Sequence, residues 1–189
     1  MTLSRSSVLK QTATVSASLG TFALMTMASL SQVTAPAISA SKPSLPQEIL
    51  QAHNKYRTAV KVPALTWSPK LAQDAQKWAN HLASLGGRQL VHSPSKQRPN
   101  QGENLWLGTS GYFSYTRMVD GWGSEKKYFR NGTFPNVSST GNWADVGHYT
   151  QIVWRKTTQV GCAVSKAGGN DILVCRYSPP GNYMGQKVY

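Results

Sequence analysis

Acidic residues are scarce in this chain: seven Asp and Glu stand against twenty Lys and Arg in 189 residues, a formal charge of +13. Few carboxylates means few places for a general base or a metal ligand. Histidine is equally sparse, at four residues, His53, His81, His92 and His148. Two cysteines permit one disulfide at most. Beyond residue 40 no run is apolar enough to span a bilayer, which takes ~20 apolar residues in succession. The basic residues are dispersed rather than gathered into a run, which argues against nucleic acid as a partner. Neither a Gly-x-Ser-x-Gly elbow nor a His-Glu-x-x-His helix is present, so two hydrolase frameworks are missing. No internal repeat is present.

What the chain has, first, is an export pattern. Arg5 and Lys10 form a short basic start, no charged residue follows from Gln11 to Ser41, and Val15 to Leu30 is the most apolar part. Small residues at Ala35, Ala37 and Ala40 complete the layout of a signal peptide. Pro36 disfavours a cut directly after Ala35, leaving Ala37 or Ala40. Residues 1–40 are thus expected to be a signal and propeptide-like segment, 41–46 a linker with Pro43 and Pro46, and 47–189 the domain. The expected location is secreted and extracellular, or periplasmic in a bacterium. Loss of Arg5 and Lys10 lowers the charge from +13 to +11, which suits an anionic extracellular surface as partner, although a solvated basic surface that only maintains solubility is the leading reading of the charge. The domain is expected to be a monomer.

Periodicity then gives the elements. Leu45, Ile49, Ala52, Tyr56 and Ala59 mark one face of a helix. Ser68 as N-cap, Pro69 at the first position and a stripe of Leu71, Ala75, Trp78, Leu82 and Leu85 mark a second, ended by Gly86-Gly87. Tyr115 to Phe129 reads as a third helix weakened by Gly121 and Gly123. Residues 88–102 and 130–145 read as loops, and Glu103–Leu107 is ambiguous between strand and helical turn. Two β-like runs, Val160–Ser165 and Ile172–Tyr177, flank the turn residues Gly168-Gly169-Asn170-Asp171. Cys162 and Cys175 lie one in each run, so an oxidising compartment would let them bridge across the ladder, with two free thiols as the alternative. Helices followed by a helix and hairpin indicate an α+β layer arrangement.

Two segments near the C-terminus are more specific. Gly147-His148-Tyr149-Thr150-Gln151-Ile152-Val153-Trp154 sets His148, Gln151 and Trp154 on one face of a helical turn, and Tyr177-Ser178-Pro179-Pro180-Gly181-Asn182-Tyr183 supplies a stop. Together they resemble the two C-terminal signatures of the CAP superfamily (cysteine-rich secretory proteins, antigen 5 and pathogenesis-related 1 proteins), a likeness covering about residues 45–189. The resemblance implies a three-layer α-β-α sandwich with a small antiparallel sheet. It also implies a central cleft lined by two histidines and two glutamates. His92-Ser93, Gly102-Glu103-Asn104-Leu105, Trp122 with Glu125, and His148 match that pattern, so His92, Glu103, Glu125 and His148 are the candidate metal ligands. Such a set suits reversibly bound Zn²⁺ not required for folding. Alternatively, the glutamates orient the imidazoles as hydrogen-bond acceptors, or the quartet only ties loops to helices. His53 reads as a packing or hydrogen-bonding residue and His81 as a surface residue.

Members of this family are similar in binding small apolar ligands, sterols or fatty acids, in grooves. Tyr112 and Phe113, after Gly111, are the expected groove rim here, together with Tyr149. The chain departs from plant pathogenesis-related members, which carry six cysteines, and from animal members with an appended cysteine-rich module. A minimal domain is expected, without channel regulation through such a module. Two rivals stand beside ligand binding: a metal-dependent hydrolase or protease in the same cleft with a glutamate as base (a Ser–His–Glu triad of Ser93, His92 or His148, and Glu103 or Glu125 is weak on geometry), and charge-driven attachment to a cell surface or cell wall. The reading leans away from an enzyme. Asn131-Gly132-Thr133 and Asn136-Val137-Ser138 match glycosylation sequons, relevant in a eukaryote.

Overall fold

The computed structural model describes residues 42–189, so the signal-peptide reading of residues 1–40 lies outside the described residues. Helix α1 spans Leu45–Ala59, and the Ser44 N–H donates to Gln47 Oε1 at 2.9 Å to close its first turn. Strand β1 is only Thr66–Trp67, and α2 follows at Pro69–Ser84. There the Ser68 hydroxyl accepts from the Leu71 N–H, as its N-cap position requires. The stripe Leu71, Ala75, Trp78 and Leu82 is buried, but Leu85 lies past the helix end and is exposed.

Glu103 and its neighbours are strand: β2 spans Gly102–Thr109. Helix α3, Tyr115–Gly123, is shorter than the sequence suggests and passes into a tight 3-10 turn over Ser124–Tyr128. The hand-over falls at Gly123, where an added Cβ would sit 2.0 Å from the Tyr56 ring of α1. Helix α4 is Gly147–Val153, and β3 (Gln159–Ala167) and β4 (Asn170–Ser178) form the hairpin. Its turn is tighter than expected, the two residues Gly168-Gly169, both with positive φ, the backbone that two-residue hairpins favour.

The sheet runs β1-β3-β4-β2. Its three long strands are antiparallel, and the two-residue β1 adds a parallel edge to β3. Alternation along β4 separates two cores. Leu173, Cys175 and Tyr177 join residues of α1, α3 and α4 on one face, whereas Ile172 and Val174 pack with Ala75, Trp78 and Leu82 of α2 on the other. This is the expected α-β-α sandwich. Cys162 and Cys175 are register partners on β3 and β4 and are joined by a disulfide. No helix among the described residues is long and apolar enough to cross a membrane.

Candidate functional site

Strand β2 is an edge of the sheet, so side chains from both of its faces reach the space beyond it. Glu103 is nearly inaccessible there and its two oxygens are fully used. Oε1 accepts from His92 Nδ1 at 2.7 Å and from the Ser93 N–H at 2.9 Å. Oε2 accepts from the Ser93 hydroxyl at 2.9 Å and from Arg176 Nη2 at 3.0 Å. Burial pushes the Glu103 pKa up, but the His92 hydrogen bond, the Arg176 charge and the two Ser93 bonds outweigh it and hold the carboxyl below its usual range. Glu103 is therefore an ionised anchor.

Glu125 repeats the device from the other side. Its Oε1 accepts from His148 Nδ1 at 2.6 Å, and Oε2 accepts the backbone N–H groups of His148 and Tyr149, each at 3.0 Å. The carboxylate thus caps the first turn of α4. The His148 ring lies parallel to Trp122, with centroids 6.0 Å apart and planes 14° apart, and Trp122 is itself fixed by its indole N–H on the Leu105 carbonyl. The Asn104 amide donates to the His148 carbonyl at 3.2 Å and ties β2 to α4.

All four residues expected in the cleft thus come together, but as two separate His–Glu pairs. Both rings line one cavity of about 240 Å³, with Asn104, Trp143, Gly147 and Asn182. The imidazoles give their Nδ1 atoms to carboxylates, which leaves Nε2 as the other ring nitrogen of each. Among the described residues no group of three or more His, Cys, Asp or Glu is arranged to hold a metal ion. Ser93 is buried, and its hydroxyl donates to Glu103 rather than to an imidazole, so no nucleophile–base pair forms around it.

The second signature packs against the first through Gln151. Its Oε1 accepts the Gly181 N–H at 2.9 Å and its Nε2 donates to Thr157 Oγ1. A Cβ at Gly102 would lie 2.1 Å from that same Oε1, and one at Gly181 would lie 2.9 Å from Trp154. Asn182, with φ 59°, donates to the Gly147 carbonyl and accepts from Thr150, which carries it to the cleft wall. Sequence reasoning missed Asn104, Trp143 and Asn182 as lining. Asn104 and Asn182 sit inside the quoted motifs, whereas Trp143 comes from a loop without periodicity.

The expected groove residues separate. Phe113 packs edge-on against Trp106, with centroids 5.1 Å apart, and the two line an open groove of about 610 Å³ with Arg117 and Asp120. Tyr112 is largely exposed and touches Phe113. Tyr149 does not join them: it is buried in the larger core against Tyr56 and Phe129. Its position after His148 on α4 turns the ring inward.

Residues 50–177 match the family model described as cysteine-rich secretory protein family, CAP. The chain is 40% identical over 145 residues to a pathogenesis-related protein of PR-1 type from Sambucus nigra, covering 76% of this chain and 81% of that one. It is 39% identical over 144 residues to pathogenesis-related protein 1A of Nicotiana tabacum, covering 76% and 80%. Among solved structures it resembles BmVAL-1, with TM-score 0.64 and 27% identity over 78% of this chain and 82% of that chain. It also resembles NaASP2, whose crystal structure is with Zn²⁺, with TM-score 0.65 and 24% identity over 76% and 84%.

Proposed function

The chain belongs to the CAP, or cysteine-rich secretory protein, family, and from that membership and the paired cleft we propose an exported binding protein. Residues 1–40 direct export and are removed, and residues 47–189 act outside the cell. The cleft takes up a divalent metal such as Zn²⁺ reversibly, and the groove at Phe113 takes a small apolar ligand of sterol or fatty-acid type.

The observation that carries the metal reading is that a glutamate holds Nδ1 of each cleft histidine. A carboxylate on one ring nitrogen fixes the tautomer and raises the basicity of the other, the usual support for a metal-bound imidazole. Nε2 of His92 and of His148 are the ligating atoms, with solvent completing the coordination. Glu103 and Glu125 orient them instead of ligating, because their oxygens are already bonded. Two protein ligands make a weak site, in keeping with reversible uptake. For the apolar ligand the support is the Trp106–Phe113 wall, since ligand pockets are mostly apolar with few placed polar groups.

Calorimetric titration with Zn²⁺ tests the cleft. One equivalent is expected to bind, His148→Ala to abolish uptake, and Glu125→Gln to weaken it roughly 10- to 100-fold. Absence of uptake at neutral pH in the unaltered protein would overturn the metal reading and leave the His–Glu pairs as ties between loop and helix.

A further inference from the structure

Alternation along β4 sets up a second site on the face of the sheet that packs against α2. Ile172 and Val174 lie in the core under α2, and the next residue on that side is Arg176, where an apolar side chain would continue the pattern. Arg176 is 2% exposed. Its Nη2 donates to Glu103, but Nε and Nη1 have no hydrogen-bond partner among the described residues. Buried polar groups are almost always paired, and an exception calls for an explanation. The other unpaired buried side-chain atom there, Gln101 Oε1, is close by in the bonding network: the Gln101 amide donates to Asp74 at 3.0 Å.

Arg176 and Asp74 line a common cavity of about 510 Å³ beside α2, within the range of small-molecule pockets. Part of its wall is aromatic. Trp78 and His81 lie together with ring centroids 4.5 Å apart and their planes tilted by 31°, and Trp78 is held in place by its indole N–H on the Val91 carbonyl at 2.9 Å. Lys77 adds a largely exposed cation at the rim. A buried guanidinium whose two unpaired donors lie beneath the cavity wall, a tilted aromatic pair and a rim ammonium therefore meet at one cavity.

We propose that this cavity binds an organic monoanion, a carboxylate carried on a flat apolar body. The carboxylate faces Arg176 and Lys77, and the body lies against the Trp78–His81 pair. Arginine is the side chain best suited to a planar carboxylate. Aromatic faces favour a flat partner. A single negative charge fits better than two, because Glu103 and Asp74 already oppose the two cations.

The test is a titration of the protein, expressed from the full chain, with 2-naphthoate, hexanoate and inorganic phosphate, followed by calorimetry and by amide NMR shifts. Saturable 1:1 binding of naphthoate is expected with Kd below about 1 mM, with phosphate roughly tenfold weaker or worse. Hexanoate should fall between them, lacking a flat body. His81→Ala and Lys77→Ala, both at exposed positions on α2, should each weaken naphthoate several-fold while leaving zinc uptake unchanged. Arg176→Met should abolish binding, and it is read only if the variant still melts cooperatively. Three outcomes would overturn the proposal: no saturable naphthoate signal up to about 10 mM, equal affinity for phosphate, or an affinity untouched by both exposed substitutions.

Discussion

His53 shows how one residue can set a pH limit. It is fully buried, its Nδ1–H donates to the Ile49 carbonyl at 2.8 Å, and Nε2 accepts from the Tyr177 hydroxyl at 2.9 Å. Both ring nitrogens are satisfied in the neutral form. Burial, aided by the positive Arg57 and only partly offset by the Ile49 bond, pushes the pKa down to about 4. Above pH 6.5 the ring is neutral in both folded and unfolded chains and contributes no pH dependence. As pH falls from 6.5 to about 4 the unfolded chain takes up a proton that the folded one refuses, so stability is lost across that window, by about 3 kcal/mol in all. Denaturant melts from pH 7.5 to 4 should show this slope, and His53→Gln should flatten it by about one proton. Parallel curves for the two proteins would refute the assignment. Arg57 is the other residue on which the fold depends: its guanidinium donates to the carbonyls of Pro63, Ile152, Trp154 and Thr157 at 2.6 to 2.9 Å. Arg57→Met strands these acceptors and should lower the unfolding free energy by more than about 3 kcal/mol. A urea midpoint unchanged within error would show that the carbonyls find other donors.

At the scale of elements, the legible parts of the sequence were those with a period or a punctuation mark. Ser68-Pro69 and the α2 stripe fix where α2 starts and which face it buries, and the residue pattern of β3 and β4 places Cys162 opposite Cys175. What stayed hidden depends on contacts between distant segments. The end of α3 is decided by Tyr56 of α1 reaching Gly123, and the strand identity of Glu103–Leu107 by pairing with β4. Motif resemblance names the four cleft candidates, whereas their division into two His–Glu pairs depends on contacts between distant segments. Arg176 carried no signal beyond its place in the alternation. Gly161 was equally silent, yet a Cβ there would lie 2.3 Å from the Ala72 nitrogen and 2.5 Å from the Ser68 carbonyl oxygen. Both obstacles are backbone at the first turn of α2, so β3 and α2 must separate to admit a methyl group. Gly161→Ala should cost about 1–3 kcal/mol through overpacking, visible as a lower melting temperature. An unaltered melt would mean that the α2–β3 contact is soft.

On the scale of the whole domain, the sheet is the shared wall of two cores, and β4, between β3 and β2, contributes side chains to both. The layers should therefore unfold together instead of in turn. The disulfide sits within that wall, with both cysteines buried on the side of the larger core. It closes a sequence separation of only 13 residues, so on the chain-entropy model it restricts the unfolded state modestly, by about 3 kcal/mol or less. The β3–β4 ladder and the two cores supply the rest of the hairpin's support. Replacing both cysteines by alanine should accordingly shift the thermal midpoint downward while keeping a single cooperative transition. Circular dichroism in the far and near ultraviolet would follow the backbone structure and the buried aromatics separately. Coincident transitions at both wavelengths would support a sheet that unites the layers by packing. Two separated transitions would mean that side-chain packing is lost apart from the backbone structure, so that cooperative unfolding needs the covalent link between β3 and β4.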